Sequence, residues 1–144
     1  MRVSVIIPTL NEERAIGKVL REMPKDGTDE VIVVDSSNDN TAKVAQGLEA
    51  VVVSEHKIGY GRAIQSGLEK ARGDIVVYMD GDYTYDPKDI PRVVEPILSG
   101  KCDVVVGNRL SHRMHPEAMN FLNRFGNVLI SLTFSLLFLR RVHD

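Results

Sequence analysis

Asp80-Gly81-Asp82 follows directly on the apolar run Ile75-Val76-Val77-Tyr78-Met79. Two carboxylates at i and i+2, at the end of a buried strand, repel each other and are costly to hold together without a cation. Hard oxygen donors in that pattern suit Mg²⁺ or Mn²⁺, which typically share their shell between one or two carboxylates and substrate phosphates. A metal bound there could neutralise charge on a departing diphosphate. The plainer reading is a solvated turn or the cap of the next helix, although Asp86, followed by Pro87, is better placed for that cap.

Asp35 ends a second apolar run, Val31 to Val34. A carboxylate at a strand end can accept hydrogen bonds from a nucleobase or ribose hydroxyls, or it can simply form a turn, as Ser37, Asn38 and Asp39 are expected to do. Gly59-Tyr60-Gly61-Arg62 stands before a helical pattern, so its amides could face a phosphate. It lacks the spacing of a dinucleotide fingerprint. Arg62 is a phosphate contact or a solvated residue of the first turn.

The elements that must position these groups follow from periodicity. Val3 to Ile7 reads as a buried strand closed by Pro8, and Asn11 as the cap of a helix with Glu12 and Glu13 in its first turn, closed by Pro24 and Gly27. Val51-Val52-Val53 and Val104-Val105-Val106 read as further strands. Helices are predicted after Asn40, Gly61 and Pro87, and one long helix from about Pro116. The strands are continuous apolar runs alternating with helices, the pattern of a mostly parallel sheet covered on both faces. The fold class is therefore α/β, with the polar clusters along the carboxyl edge of one sheet.

The 144 residues allow one ordinary domain. With 18 basic against 20 acidic residues, the chain has no basic excess of the kind a nucleic-acid footprint requires. Cys102 is the only cysteine, so no internal disulfide exists and a reducing, cytoplasmic setting is expected, with no signal peptide at Met1-Arg2. Near the C-terminus an uncharged run from Phe125 to Leu139 is shorter than the roughly 20 apolar residues that span a membrane.

In order along the whole chain stand Ile7-Pro8-Thr9-Leu10-Asn11-Glu12-Glu13, Val33-Val34-Asp35 with Asp39 and Thr41, Gly59-Tyr60-Gly61-Arg62-Ala63 and Gly67. They continue with Ala71-Arg72-Gly73-Asp74, Met79-Asp80-Gly81-Asp82, Asp103 to Arg109, and Asn123-Arg124-Phe125-Gly126-Asn127. This series resembles family-2 glycosyltransferases of the GT-A type, and among them the dolichyl-phosphate (polyprenyl-phosphate) sugar synthases. The resemblance implies metal-dependent, inverting transfer of a sugar from a UDP- or GDP-linked donor to a polyprenyl phosphate. It implies a pocket for base and ribose at Pro8, Leu10, Glu12 and Asp35, with Arg62 towards the phosphates. The metal, Mg²⁺ or Mn²⁺, would sit on Asp80 and Asp82, with Asp82 favoured as the direct ligand. Arg109 and Arg124 would grip the acceptor phosphate or the leaving diphosphate, a task for which guanidinium offers a fixed fork of donors; surface ion pairs are the plainer reading. Residues 1–115 would form the nucleotide-sugar-binding core and 116–144 an amphipathic helix of the same domain.

The chain departs from the family in three places: a shorter turn after Asp35, Asn108 in place of a serine, and an end at Val142-His143-Asp144 where relatives continue. The last departure implies a shortened chain. The final helix places Leu122, Phe125, Leu129, Leu132, Leu136 and Leu139 at spacings of three and four, flanked by Arg124, Arg140 and Arg141. Such a helix suits an anionic membrane surface, with the protein peripheral on the cytoplasmic face, and equally a core or homo-oligomer contact. Two rival functions stay open: a shortened chain that binds nucleotide sugar without turnover, and a haloacid-dehalogenase-type phosphotransferase, whose Asp-x-Asp-x-Thr is matched by Asp80 to Thr84.

Overall fold

The apolar runs form a parallel sheet in the computed structural model, which describes residues 1–56, 59–107 and 121–138, the side chains of 121–125 excepted. Its strands are β1 (Val3–Thr9), β2 (Glu30–Asp35), β3 (Val51–Ser54) and β4 (Ile75–Tyr78), in the order β3-β2-β1-β4. The pleat sends alternate β1 residues to opposite faces. Val3, Val5 and Ile7 pack with Val33 beneath α1 (Ile16–Arg21), α2 (Thr41–Gln46) and α4 (Ile90–Leu98). Ile6 packs with Ile32 and Val34 beneath α3 (Tyr60–Lys70). Both faces are thus dry, and each fully buried Ile or Val stabilises the sheet by roughly 1.5–3 kcal/mol.

At the amino edge, the strands are held in register by a polar clasp. The Ser4 hydroxyl donates to Glu30 at 2.7 Å and accepts from the Gly73 amide at 2.9 Å. Arg72 N donates to the same Glu30 oxygen at 3.1 Å, and Arg2 N donates to Asp74 at 2.8 Å. A Cβ at Gly73 would lie 2.6 Å from Ser4 N, so this close approach requires glycine. The Ala71-Arg72-Gly73-Asp74 segment therefore aligns β4 with β1, away from the edge where the acidic clusters lie.

Three expectations are corrected. Pro8 continues β1 instead of ending it, pairing in register with Val34. Even-numbered residues of β1 face β4, as Met79 N bonding to Ile6 O shows, and β4 pairs only as far as Ile6. The N–H that Pro8 lacks would have pointed where no strand needs it. Asn11 does not cap a helix: it has φ 60°, the chain turns at Glu12 to Ala15, and α1 starts at Ile16 with Ala15 before it. Val104 to Val106 form no strand; Val104 is 74% exposed and Val106 78%. β-propensity expresses itself only against packed neighbours, and those two side chains have little.

Asp86 does cap as expected, accepting from Lys88 N at 3.0 Å before the single 3₁₀ turn Pro87–Asp89 that leads into α4. The chain divides into two compact units, Met1–Val105 and Val106–Asp144. In the second, α5 spans Phe121–Phe138; the expected start near Pro116 and Leu139 lie outside the described residues. Among its described side chains, Val128, Leu129, Ile130, Leu132 and Leu136 are exposed. Among the described residues no helix is long and apolar enough to cross a membrane.

Gly67 marks the tightest contact of α3 with the sheet, because a Cβ there would collide with the Ile6 side chain and sit 3.2 Å from Val34 Cγ2. Gly67→Ala is expected to destabilise the fold by about 1–3 kcal/mol through overpacking. Urea unfolding followed by circular dichroism measures this, and a variant as stable as the parent would mean that α3 can lift without cost.

Candidate functional site

Three loops leave the carboxyl edge of the sheet, after β1, β2 and β4, and Thr9 joins them. Its hydroxyl donates to Asp35 Oδ1 at 2.7 Å, to which Ser37 Oγ also donates. A Cβ at Gly81 would stand 2.7 Å from Thr9 Cγ2 and 3.3 Å from Ile7 Cγ2. The middle residue of Asp80-Gly81-Asp82 is therefore pressed onto the end of β1, and only glycine permits the approach. Asp82 turns back to accept from Thr84 N at 2.8 Å.

The loops after β1 and β2 are knitted together. Asn11 N donates to Ser37 Oγ at 2.7 Å and Glu12 N to Thr41 Oγ1 at 2.9 Å. Glu13 N donates to Asp39 at 3.3 Å, while Asn40 donates to Glu13 Oε2 through both its amide and its side chain. Asp39 accepts from the amide and hydroxyl of Thr41, and these bonds, with the hydroxyl foremost, hold its carboxyl below the usual aspartate range. Thr9, Asn11, Glu13, Asp39 and Thr41 position the loops, a task that the sequence did not assign to them. The one signal was the density of Ser, Asn, Asp and Thr after Asp35, which favours side-chain-to-backbone bonding.

Glu12 is where the loops meet electrostatically. Burial pushes its carboxyl above the usual glutamate range, and the charges of Asp82, Asp39 and Asp80 push it further the same way. The structure thus brings Glu12, Asp80 and Asp82 together, with Asp35 joined to them through Thr9. Pro8 is half-buried on β1, while Leu10 is 47% exposed beyond it. Arg62 stands apart, its Nε 3.4 Å from Glu55 and its Nη1 donating to Gln65. The Glu55 amide in turn donates to the Asp35 carbonyl at 2.9 Å. Arg109, and the side chain of Arg124, lie outside the described residues.

Glu12, Asp80 and Asp82 offer hard oxygen donors of one sign, the kind that a divalent cation such as Mg²⁺ takes. Among the described residues no three His, Cys, Asp or Glu side chains could hold a metal unaided. A cation that keeps part of its shell for phosphate oxygens and water needs only one or two. A cleft of about 400 Å³ lined by Arg2, Leu20, Asp29, Glu30 and Val51 lies at the opposite edge and shares no residue with this cluster.

Comparison with known proteins supplies context. The family model described as Glycosyl transferase family 2 matches residues 4–141. A dolichyl-phosphate hexose transferase of Haloferax volcanii is 36% identical, covering 99% of this chain and 62% of that protein. A UDP-N-acetylglucosamine–dolichyl-phosphate N-acetylglucosaminyltransferase of Methanococcus voltae is 31% identical, covering 93% of this chain and 62% of that protein. Among solved structures, glucosyl-3-phosphoglycerate synthase from Mycobacterium tuberculosis, in complex with Mn²⁺, uridine-diphosphate-glucose and phosphoglyceric acid, superposes with TM-score 0.63 at 34% identity. That match covers 69% of this chain and 40% of the synthase. The chain spans less than two thirds of the length of each of these relatives.

The crowding at Glu12 has a measurable sign. The folded chain holds this proton to a higher pH than the unfolded chain does, so stability falls as pH rises from the unfolded to the folded value. A ¹³C titration of the Glu12 carboxyl should place its midpoint above the ordinary glutamate range, and Asp82→Asn should lower it. A midpoint unmoved by Asp82→Asn would separate the two carboxylates.

Proposed function

This chain belongs to glycosyl transferase family 2, and from that premise we propose that it forms the donor-binding core of an inverting, metal-dependent hexosyltransferase acting on a UDP- or GDP-linked sugar. Its parallel sheet flanked by helices is the α/β core of GT-A glycosyltransferases. The observation that carries the proposal is the packing of Gly81 on Thr9, which assembles Asp80 and Asp82 with Glu12 on one side of Thr9 and Asp35 on the other.

In this proposal Asp35 accepts hydrogen bonds from the nucleoside, with Pro8, Leu10 and Glu12 lining the same pocket. Asp80 and Asp82 would hold Mg²⁺ or Mn²⁺, which would supply positive charge against the leaving diphosphate. Arg109 and Arg124 bind phosphate oxygens through their guanidinium forks. Arg62, whose side chain is half exposed, reaches the donor by leaving Glu55, which keeps the Ser66 hydroxyl at 2.6 Å as a partner. One bond forms between the acceptor oxygen and the anomeric carbon while the bond to the diphosphate oxygen breaks, inverting that carbon.

The acceptor we propose is a polyprenyl (dolichyl) phosphate, the acceptor class named for both the Haloferax and the Methanococcus relatives. A phosphate monoester is anionic near neutral pH, so attack requires no general base from the chain. The exposed apolar residues of α5 support a peripheral seat at a cytoplasmic membrane surface, where such a lipid would be met. A second reading, nucleotide-sugar binding without turnover, needs only the donor site around Asp35, Asp80 and Asp82.

Calorimetric titration with UDP and with GDP, with and without Mn²⁺, tests the donor site. One nucleotide should bind in a metal-dependent manner, and Asp82→Ala should weaken it at least about tenfold, equivalent to roughly 1.4 kcal/mol. Binding indifferent to both metal and Asp82 would refute the assignment. Sugar transfer to a short-chain polyprenyl phosphate then separates the enzyme from the binding-only reading.

A further inference from the structure

Asp82 is followed by Tyr83, a bulky residue at φ 66°. That left-handed conformation costs a non-glycine residue roughly 1–2 kcal/mol, so something outside the loop has to hold it. The phenol donates to Glu22 Oε2 at 2.7 Å, and Lys18 Nζ lies 3.6 Å from the ring centroid. From the adjoining 3₁₀ turn, Lys88 Nζ reaches the same Glu22 oxygen at 2.9 Å. Lys18 lies within α1 and Glu22 is its C-cap, while the turn that starts this helix is closed by Ala15 N and Ile16 N on Glu12 O. A six-residue helix therefore has Glu12 at one end and the Tyr83 anchor at the other.

We propose that Tyr83 is a positioning residue whose hydrogen bond to Glu22 fixes the direction of the Asp82 carboxylate. The function of that direction rests on the donor-site reading above. The mechanical logic is local. Asp82 accepts from Thr84 N across Tyr83, so the two carry the loop's shape together. Without its anchor, Tyr83 relaxes to negative φ, the peptide on either side of it rotates, and Asp82 points elsewhere. Glycine would adopt this conformation freely, but it would leave the loop untied from α1.

Tyr83→Phe removes one hydroxyl and leaves the ring beneath Lys18. In the ligand-free chain, exchange of the Thr84 amide should accelerate about tenfold, the scale of one hydrogen bond to a charged group, with the thermal midpoint shifted by no more than about 3 °C. Mn²⁺-dependent nucleotide affinity should fall about tenfold, while metal-free nucleotide affinity stays unchanged because the Asp35 side is untouched. Glu22→Gln retains an acceptor and should behave as the parent. Glu22→Ala should match Tyr83→Phe, and the double variant should be no worse than either. Unchanged Thr84 exchange, equal loss of affinity with and without metal, or additive effects would each overturn the proposal. If the parent chain bound no nucleotide at all, the donor-site reading would fail, yet Thr84 exchange would still decide whether Tyr83 positions the loop.

Discussion

Thr9 ends β1 with its hydroxyl on Asp35 and its methyl against Gly81. Both contacts need a strand end that does not move, and β1 provides one because Val5, Ile6 and Ile7 beneath it are inaccessible to solvent. From that fixed point the carboxylates fall into place. Asp35 is held by two hydroxyls, and Asp80 and Asp82 come within electrostatic reach of Glu12. The like charges around Glu12 are unfavourable in the protein alone, and the close-packed sheet sustains them.

The two edges of the sheet divide the work. At the amino edge the Ser4–Glu30–Gly73 clasp sets register through three hydrogen bonds of 2.7 to 3.1 Å. At the carboxyl edge the strands give way to loops bonded to one another, and α1 is a single short helix between two of the anchors. Helices of that length are not stable alone. The order of α1 comes from Ile16 and Val19, fully buried against the sheet, together with the bonds at its two ends.

The sheet was legible in the sequence because its central strands, β1 and β2, are β-branched runs buried on both faces, a pattern with few alternatives. Asp35, Asp80 and Asp82 were legible for a topological reason: polar residues directly after such strands collect at one edge. What the sequence concealed was pairing across distance. Asn11 reads as a helix cap from its neighbours alone, but its partners are Ser37 and Asn38 in another loop, and they draw it into a left-handed turn. Tyr83 meets Glu22 across 61 positions, and no local period announces that contact. Val104 to Val106 carry the composition of a strand without its packing, and Pro8, read as a terminator, sits beyond the last β1 residue that pairs with β4.

The bonds between residues 11–13 and 37–41 also bear on how such a surface can change over generations. Each loop supplies the other's donors and acceptors, so a substitution that reshapes one for a new ligand removes bonds from both. Reshaping the surface beside Asp35 is thus a coordinated problem for two segments whose bonded residues lie 26 positions apart. Single-step variation is penalised before it can be rewarded. The knitted loops act as one heritable module, slow to drift and prone to change as a block.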